Sequence, residues 1–261
     1  MDASTIDELG NRLFCALNDR QPISPLTERF PTLRIEDAYA ISRAILKRRL
    51  ATGEKVIGKK VGVTSQAVMD LLKVDQPDFG YLTDAMAYSS GADIPVSSTM
   101  IQPKAEGEIA FILSHDLSGP GVTADDVLAA TQAVCACFEI VDSRIRDWKI
   151  TIADTVADNA SSGALVLGDD RVSPREVDLV NCEMVIETNG EVSATGTGAA
   201  AMGHPANCVA WLANTLGALG TPLLAGEVIL SGSLGTMLPA TPGDEMTIRI
   251  DGIGTASARF V

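Results

Sequence analysis

The second half of the chain limits its folding most, because six short segments suited to strands follow one another there: 163–167, 180–188, 191–195, 227–231, 245–251 and 257–261. Their β-branched residues, set between turn-forming Gly, Pro, Asn and Asp, predict a strand-rich architecture. Asn189-Gly190 falls between two of them and is a strong hairpin signal, since a type I′ turn needs positive φ at both central residues. One long helix, 206–216, stands among these strands, with Gly217 placed to end it.

The first half alternates more. Apolar residues three and four apart predict an amphipathic helix over 35–50, ended by Thr52-Gly53. Residues 55–63 read as a strand whose Gly58 and Gly62 mark close approach of backbone to a neighbour or ligand. Thr64 or Ser65 caps a short helix through Leu72. Pro77 and Gly80 make 74–81 a loop. A strand over 106–113, a helix over 123–133 opened by Thr123-x-x-Asp126 and a strand over 134–141 give β-α-β alternation. With no internal repeat or linker, the reading is one α+β, strand-rich domain over 1–261, its smaller helical N-terminal portion spanning 1–75 and the strand-rich core 76–261.

Charge narrows the partners. Twenty basic against 34 acidic residues give a net charge of -14, which repels a phosphate backbone or an anionic membrane surface. Neither nucleic acid nor membrane is expected as a partner. No run is long enough to span a bilayer, and the first 19 residues lack the basic start and unbroken apolar stretch of a signal peptide. Five cysteines, odd in number and irregularly spaced, suit reduced thiols in a cytoplasm. An anionic substrate would need a local cation to reverse the field.

His115 and His204 are the only histidines, which rules out a multi-histidine metal centre. Neither sits in a nucleophile-like context: His115 reads as a solvated loop residue and His204 as part of a turn before the long helix. Carboxylates lead further. In a strand, Glu106 and Glu108 share one face, and a hard divalent ion such as Mg²⁺ or Mn²⁺ would relieve their repulsion. Gly107 leaves the opposite face bare. Solvated glutamates on an edge strand are the plainer alternative. Glu139 lies in an apolar strand and needs a partner, either that metal or a base such as Arg144 or Arg146. Spacing leaves both open. Asp142, Arg144, Arg146 and Asp147 read as a charge network at the strand's end. Of Lys59 and Lys60, one faces inward if the strand is buried on one side, and Lys60 there would serve an anionic substrate as electrophile or proton donor; otherwise both reach solvent. The small, polar turns 157–163 and 231–235 offer backbone N–H groups to a carboxylate, or are merely loops.

Taken in order, Gly58-Lys59-Lys60-Val61-Gly62-Val63-Thr64-Ser65, Gln76-Pro77-Asp78-Phe79-Gly80-Tyr81-Leu82 and segments 103–111, 138–148, 156–162 and 226–234 resemble the 2-hydroxypenta-2,4-dienoate (2-keto-4-pentenoate) hydratases of the fumarylacetoacetate hydrolase superfamily. The resemblance covers nearly the whole chain. It implies a mixed β-roll, a homo-oligomer, a metal held by Glu106, Glu108 and Glu139, and Lys60 as catalytic lysine. Asp78 is the candidate for moving protons, and Ser161, Ser162, Ser233 and Leu234 are candidate substrate contacts. The implied reaction belongs to meta-cleavage degradation of aromatic compounds. The dienoate ketonises and water then adds to the enone, giving 4-hydroxy-2-oxopentanoate with Mg²⁺ or Mn²⁺ as Lewis acid and no organic cofactor.

The sister 2-oxo-3-hexenedioate (4-oxalocrotonate) decarboxylases share the glutamates, the lysine and the Ala-Asp-Asn-Ala-Ser-Ser run. Asp78 and Gly107 favour the hydratase, since those decarboxylases tend to carry an apolar residue and Ala there. A complex with such a decarboxylase is a further expectation. A metal-stabilised oligomeric scaffold without turnover is the reading from a different class. C–C hydrolase chemistry needs an activating histidine, a role neither His115 nor His204 matches.

Overall fold

The structure is a computed structural model describing residues 1–261. Eight helices are α1 (Ala3–Asp19), α2 (Leu26–Arg29), α3 (Ile35–Ala51), α4 (Gln66–Leu72), α5 (Val96–Thr99), α6 (Ala124–Ala130), α7 (Ile152–Ala157) and α8 (Pro205–Gly217). The strands are β1 (Val56–Gly62), β2 (Asp78–Thr83), β3 (Ala87–Ser89), β4 (Ala92–Ile94), β5 (Lys104–Leu113), β6 (Thr131–Val141), β7 (Ser162–Leu167), β8 (Glu183–Thr188), β9 (Glu191–Thr197), β10 (Val228–Leu230), β11 (Leu238–Pro239), β12 (Glu245–Ile250) and β13 (Gly254–Phe260). No helix is long and apolar enough to cross a membrane.

Local signals placed most of these elements. Ser65, rather than Thr64, caps α4 by accepting from the Val68 N–H. Thr123 and Asp126 close a reciprocal capping box on α6. Asn189 and Gly190 take φ of 54° and 84° in the β8–β9 hairpin. Two expectations yield to pairing. The helix read over 123–133 stops at Ala130, because Thr131 already pairs with Leu113 in the β5–β6 ladder. Half of the loop read over 74–81 is strand, since residues from Asp78 onward satisfy their backbone against β1. The β5–α6–β6 alternation is not a parallel crossover: its two strands are direct antiparallel neighbours.

Strands order β2-β1-β10-β5-β6-β7-β3 in the larger sheet, with β11 added to β5, and β4-β13-β12-β8-β9 in the smaller. Pairing is mixed, with β1–β10, β3–β7 and β4–β13 parallel. The larger sheet curls until β2 meets β7, forming a roll. β1, from the N-terminal portion, is its second strand, so the roll begins before residue 76.

Alternation divides the curled sheet into two faces. Leu82, Met86, Ala110, Cys135, Cys137, Leu165 and Leu230 fill the inside. Outside, Ile109, Phe111, Phe138 and Val166 pack with Met184, Ile186, Ile248 and Phe260 of the second sheet. The face of Gly107 expected to be bare is therefore filled: a Cβ there would lie 2.4 Å from Met184 Sδ and 2.7 Å from Ile248 Cδ1. A smaller core joins α1 and α3 to α7 through Leu9, Leu13, Ile41, Ile45 and Val156.

Candidate active site

Register assembles the polar cluster. Glu106 on β5 stands directly opposite Glu139 on β6, and Glu108 opposite Cys137. Lys60 on β1 pairs with Leu230 and Gly80, while Asp78 pairs with Gly62, two residues further along β1. Paired residues share a face, so all five polar side chains project into one end of the roll. One carboxylate oxygen from each of Glu106, Glu108 and Glu139 comes within 4.8 Å of the others. Glu108 and Glu139 are fully buried, and Lys60 and Asp78 nearly so.

The balance of charge is unfavourable without a cation. Glu108 Oε1, both oxygens of Glu139 and Asp78 Oδ1 lack hydrogen-bond partners despite complete burial. Lys60 Nζ lies 3.2 Å from Glu139 Oε1, an ion-pair distance but off the line of a hydrogen bond. One ammonium thus faces four acids. Burial, then the Glu139 charge, pushes Glu106 up to about 7. Burial likewise raises Glu108, Glu139 and Asp78. Burial opposes the charge on Lys60, but Glu139, Asp78, Glu106 and Glu108 outweigh it and raise its pKa, keeping it an ammonium. Two buried carboxylates, Glu108 and Glu139, and the partly exposed Glu106 make an oxygen-only donor set suited to a hard divalent cation.

Glycine makes the room. A Cβ on Gly62 would fall 2.4 Å from Asp78 Oδ1 and 3.3 Å from Lys60 Nζ, so the close approach read from the sequence is to this acid–base pair. Gly58 is close to backbone instead, 1.9 Å from Val228 O by the same measure. The turn 231–235 grips a carboxylate, but the protein's own: the Gly232 N–H donates to Glu108 Oε2 at 2.8 Å. Ser233 Oγ donates to Gly235 O and the Leu234 N–H to Gly107 O, fixing that turn against β5. A cavity of ≈ 530 Å³ reaches Glu106, with Gly62, Thr64, Val68, Ser233 and Met237 among its lining residues.

The turn before β7 closes the roll. Asn159 Oδ1 accepts from the Tyr81 N–H at 2.8 Å and its Nδ2 donates to Tyr81 O at 2.9 Å, completing the ladder of β2. Asn159, Ala160 and Ser161 all hold left-handed φ, 50–55°, a costly run that marks an overdetermined site. Ser162 Oγ donates to Asn159 O and crowds Gly80, the pairing partner of Lys60. Ser161 is buried, its Oγ 3.4 Å from Thr155 Oγ1, and does not line the cavity at Glu106.

Other sequence expectations change partners. Both lysines are buried, back to back: Lys59 pairs with Glu227 on the other face. The partner of Glu139 within the chain is Lys60, not Arg144 or Arg146. The 142–147 network does not form: Arg144 binds Asp158, Asp142 accepts the Ile101 and Gln102 N–H groups, and Arg146 and Asp147 are exposed. His115 is exposed, and His204 caps α8. Sequence reading missed Asn159, Lys59–Glu227 and the buried, unpartnered Ser231 Oγ. Only Asn159 left a trace, as a residue type that tolerates left-handed φ.

A curled mixed sheet with a cluster of three glutamates and a lysine at one end is the framework of a metal-dependent enzyme class. The fumarylacetoacetate hydrolase C-terminal family model matches residues 54–261, and the chain belongs to that family. It is 64% identical over 220 residues, 84% of this chain and 99% of the relative, to a 2-hydroxypent-2,4-dienoate hydratase of Pseudomonas putida. A 2-hydroxyhexa-2,4-dienoate hydratase of Comamonas testosteroni is 55% identical over 99% of this chain and 98% of its own. The structure of 4-oxalocrotonate decarboxylase from Pseudomonas putida G7, complexed with magnesium and adipate, superposes with a TM-score of 0.97 at 37% identity, covering 100% of this chain and 99% of that one.

Proposed function

We propose that this chain, as a single catalytic domain, is a hydro-lyase that converts 2-hydroxypenta-2,4-dienoate to 4-hydroxy-2-oxopentanoate in the meta-cleavage degradation of aromatic compounds. The observation that carries the reading is the cluster of Glu106, Glu108 and Glu139, the last two buried with free oxygens, beside Lys60 and Asp78. The curated hydratases at 64% and 55% identity support the reaction.

Glu106, Glu108 and Glu139 would hold Mg²⁺ or Mn²⁺, which supplies Lewis-acid polarisation of the substrate's carboxylate and 2-oxygen. The chain's own groups move the protons. Asp78, buried with one free oxygen, takes the proton leaving the 2-hydroxyl and returns one to C5, giving the 2-oxo-3-enoate. Lys60, held as an ammonium, faces the enolate charge that grows as water adds at C4 and a proton settles on C3. Ser233 is the substrate contact the cavity supports, while Leu234 holds its turn on β5 and Ser161 and Ser162 belong to the turn that closes the roll. The family resemblance supports a cytoplasmic homo-oligomer and association with a 2-oxo-3-hexenedioate decarboxylase, which co-purification tests.

The test is an assay on freshly generated dienoate after chelation and after adding back Mg²⁺ or Mn²⁺. Dienoate absorbance should fall, with 4-hydroxy-2-oxopentanoate formed, only when metal is restored. Activity that survives thorough chelation would overturn the metal site. The 37% identical decarboxylase structure favours a second reading, and carbon dioxide released from 2-oxo-3-hexenedioate in a parallel assay would promote it.

A further inference from the structure

The cavity that reaches Glu106 has thirteen lining residues, and Glu106 is the only charged side chain among them. Its apolar wall comes from α4, through Ala67 and Val68, and from Met237 in the segment after the Gly232 turn, with Ala200 beside them. Val68 is 39% exposed, so its methyl groups lie open to the cavity rather than packed beneath α4, where Met69 alone is buried. On the hydratase reading, a substrate whose carboxylate meets the metal held by the glutamates would extend its other end into this space, which opens from Glu106. No Arg or Lys waits there for a second carboxylate, which would be desolvated beside Glu106 within a chain of net charge -14.

We propose that Val68 and Met237 are the specificity-determining residues of this site, forming a wall that accepts a short uncharged tail and rejects a carboxylate-ended one. The inference rests on the hydratase reading. Chain length is a real variable among relatives, since the named hydratases take five- and six-carbon dienoates. One methylene in an apolar pocket discriminates by about 10–200-fold.

The experiment compares kcat/KM for 2-hydroxypenta-2,4-dienoate and 2-hydroxyhexa-2,4-dienoate in the unsubstituted enzyme, Val68→Ala and Met237→Ala, with Mn²⁺ affinity followed by paramagnetic resonance. Each alanine variant should raise the six- to five-carbon ratio by about tenfold at unchanged Mn²⁺ affinity. Hexanoate should inhibit the unsubstituted enzyme more strongly than adipate, and Met237→Arg should reverse that order. A ratio unmoved in both alanine variants, or adipate already the better inhibitor, overturns the proposal while leaving the hydratase standing. An unsubstituted, metal-loaded enzyme that hydrates neither dienoate overturns the underlying reading as well, so the two failures are distinct. If Val68→Ala does not fold, the two Met237 variants decide alone.

Discussion

Glu106, Glu108 and Glu139 repel one another at the end of the roll, where Glu108 and Glu139 are buried, and Lys60 offsets only part of that repulsion. Removing one charge should therefore stabilise the metal-free protein while damaging the site. Glu106→Gln is expected to raise the melting temperature of chelated protein at pH 8 by a few degrees, ~1 kcal/mol being worth about 2–4 °C at this chain length. Mn²⁺ affinity should fall by more than the roughly 10–100-fold that loss of an outer-shell partner costs, and hydration should vanish in a variant that is still folded. A variant that is folded, metal-poor and fully active would reject the three-glutamate site. At this scale the sequence spoke through period: strand alternation set Glu106 and Glu108 on one face. It showed that Glu139 needs a partner but not which, because what stands opposite Glu106 is decided by the β5–β6 register, a contact between residues far apart in the chain.

Elements were legible wherever their ends carried their own chemistry, as at Ser65, Thr123 and Asn189-Gly190, and illegible where a distant strand ended them, as at Thr131. The cap of α8 joins a local signal to a pH response. His204 Nδ1 accepts the Ala206 N–H at 3.0 Å, which requires that nitrogen to be unprotonated. Burial lowers its pKa below the ordinary 6.5, with Asp178 and Asp125 pulling weakly the other way. The unfolded chain therefore binds a proton as pH falls through 6.5 while the folded one resists, and stability drops as pH is lowered through that window. His204→Asn keeps a capping oxygen that does not titrate. Between pH 7 and pH 5 its denaturation midpoint should fall less than that of the unsubstituted protein. Equal losses in the two would mean that the cap does not sense pH.

For the molecule as a whole, closure of the roll is what brings β2, with Asp78, to the glutamates, and no local pattern announces it. The seam is Asn159, whose amide does for Tyr81 what a further strand would do. Asn159→Ala should cost about 2–4 kcal/mol in urea unfolding, from two stranded backbone groups and a disfavoured left-handed φ. Asn159→Gly restores the conformational freedom but not the amide, so it should recover part of the stability and little of kcat. Full recovery of both by glycine would reduce the seam to backbone geometry.

The back-to-back lysines of β1 act as a two-sided key. Lys59 finds its acid just before β10 begins, and Lys60 finds its acid across the far end of the roll. A slip of one residue in β1 that carried Lys59 to the glutamates would put Lys60 where apolar Val61 is buried and leave Glu227 without its lysine. Breaking a buried pair costs about 3–5 kcal/mol, so a misthreaded β1 is penalised by the lost Glu227 pair and by the ammonium stranded in the core. Two neighbouring ammonium groups, one on each face of β1, thus act as a check on its register as well as on its local charge.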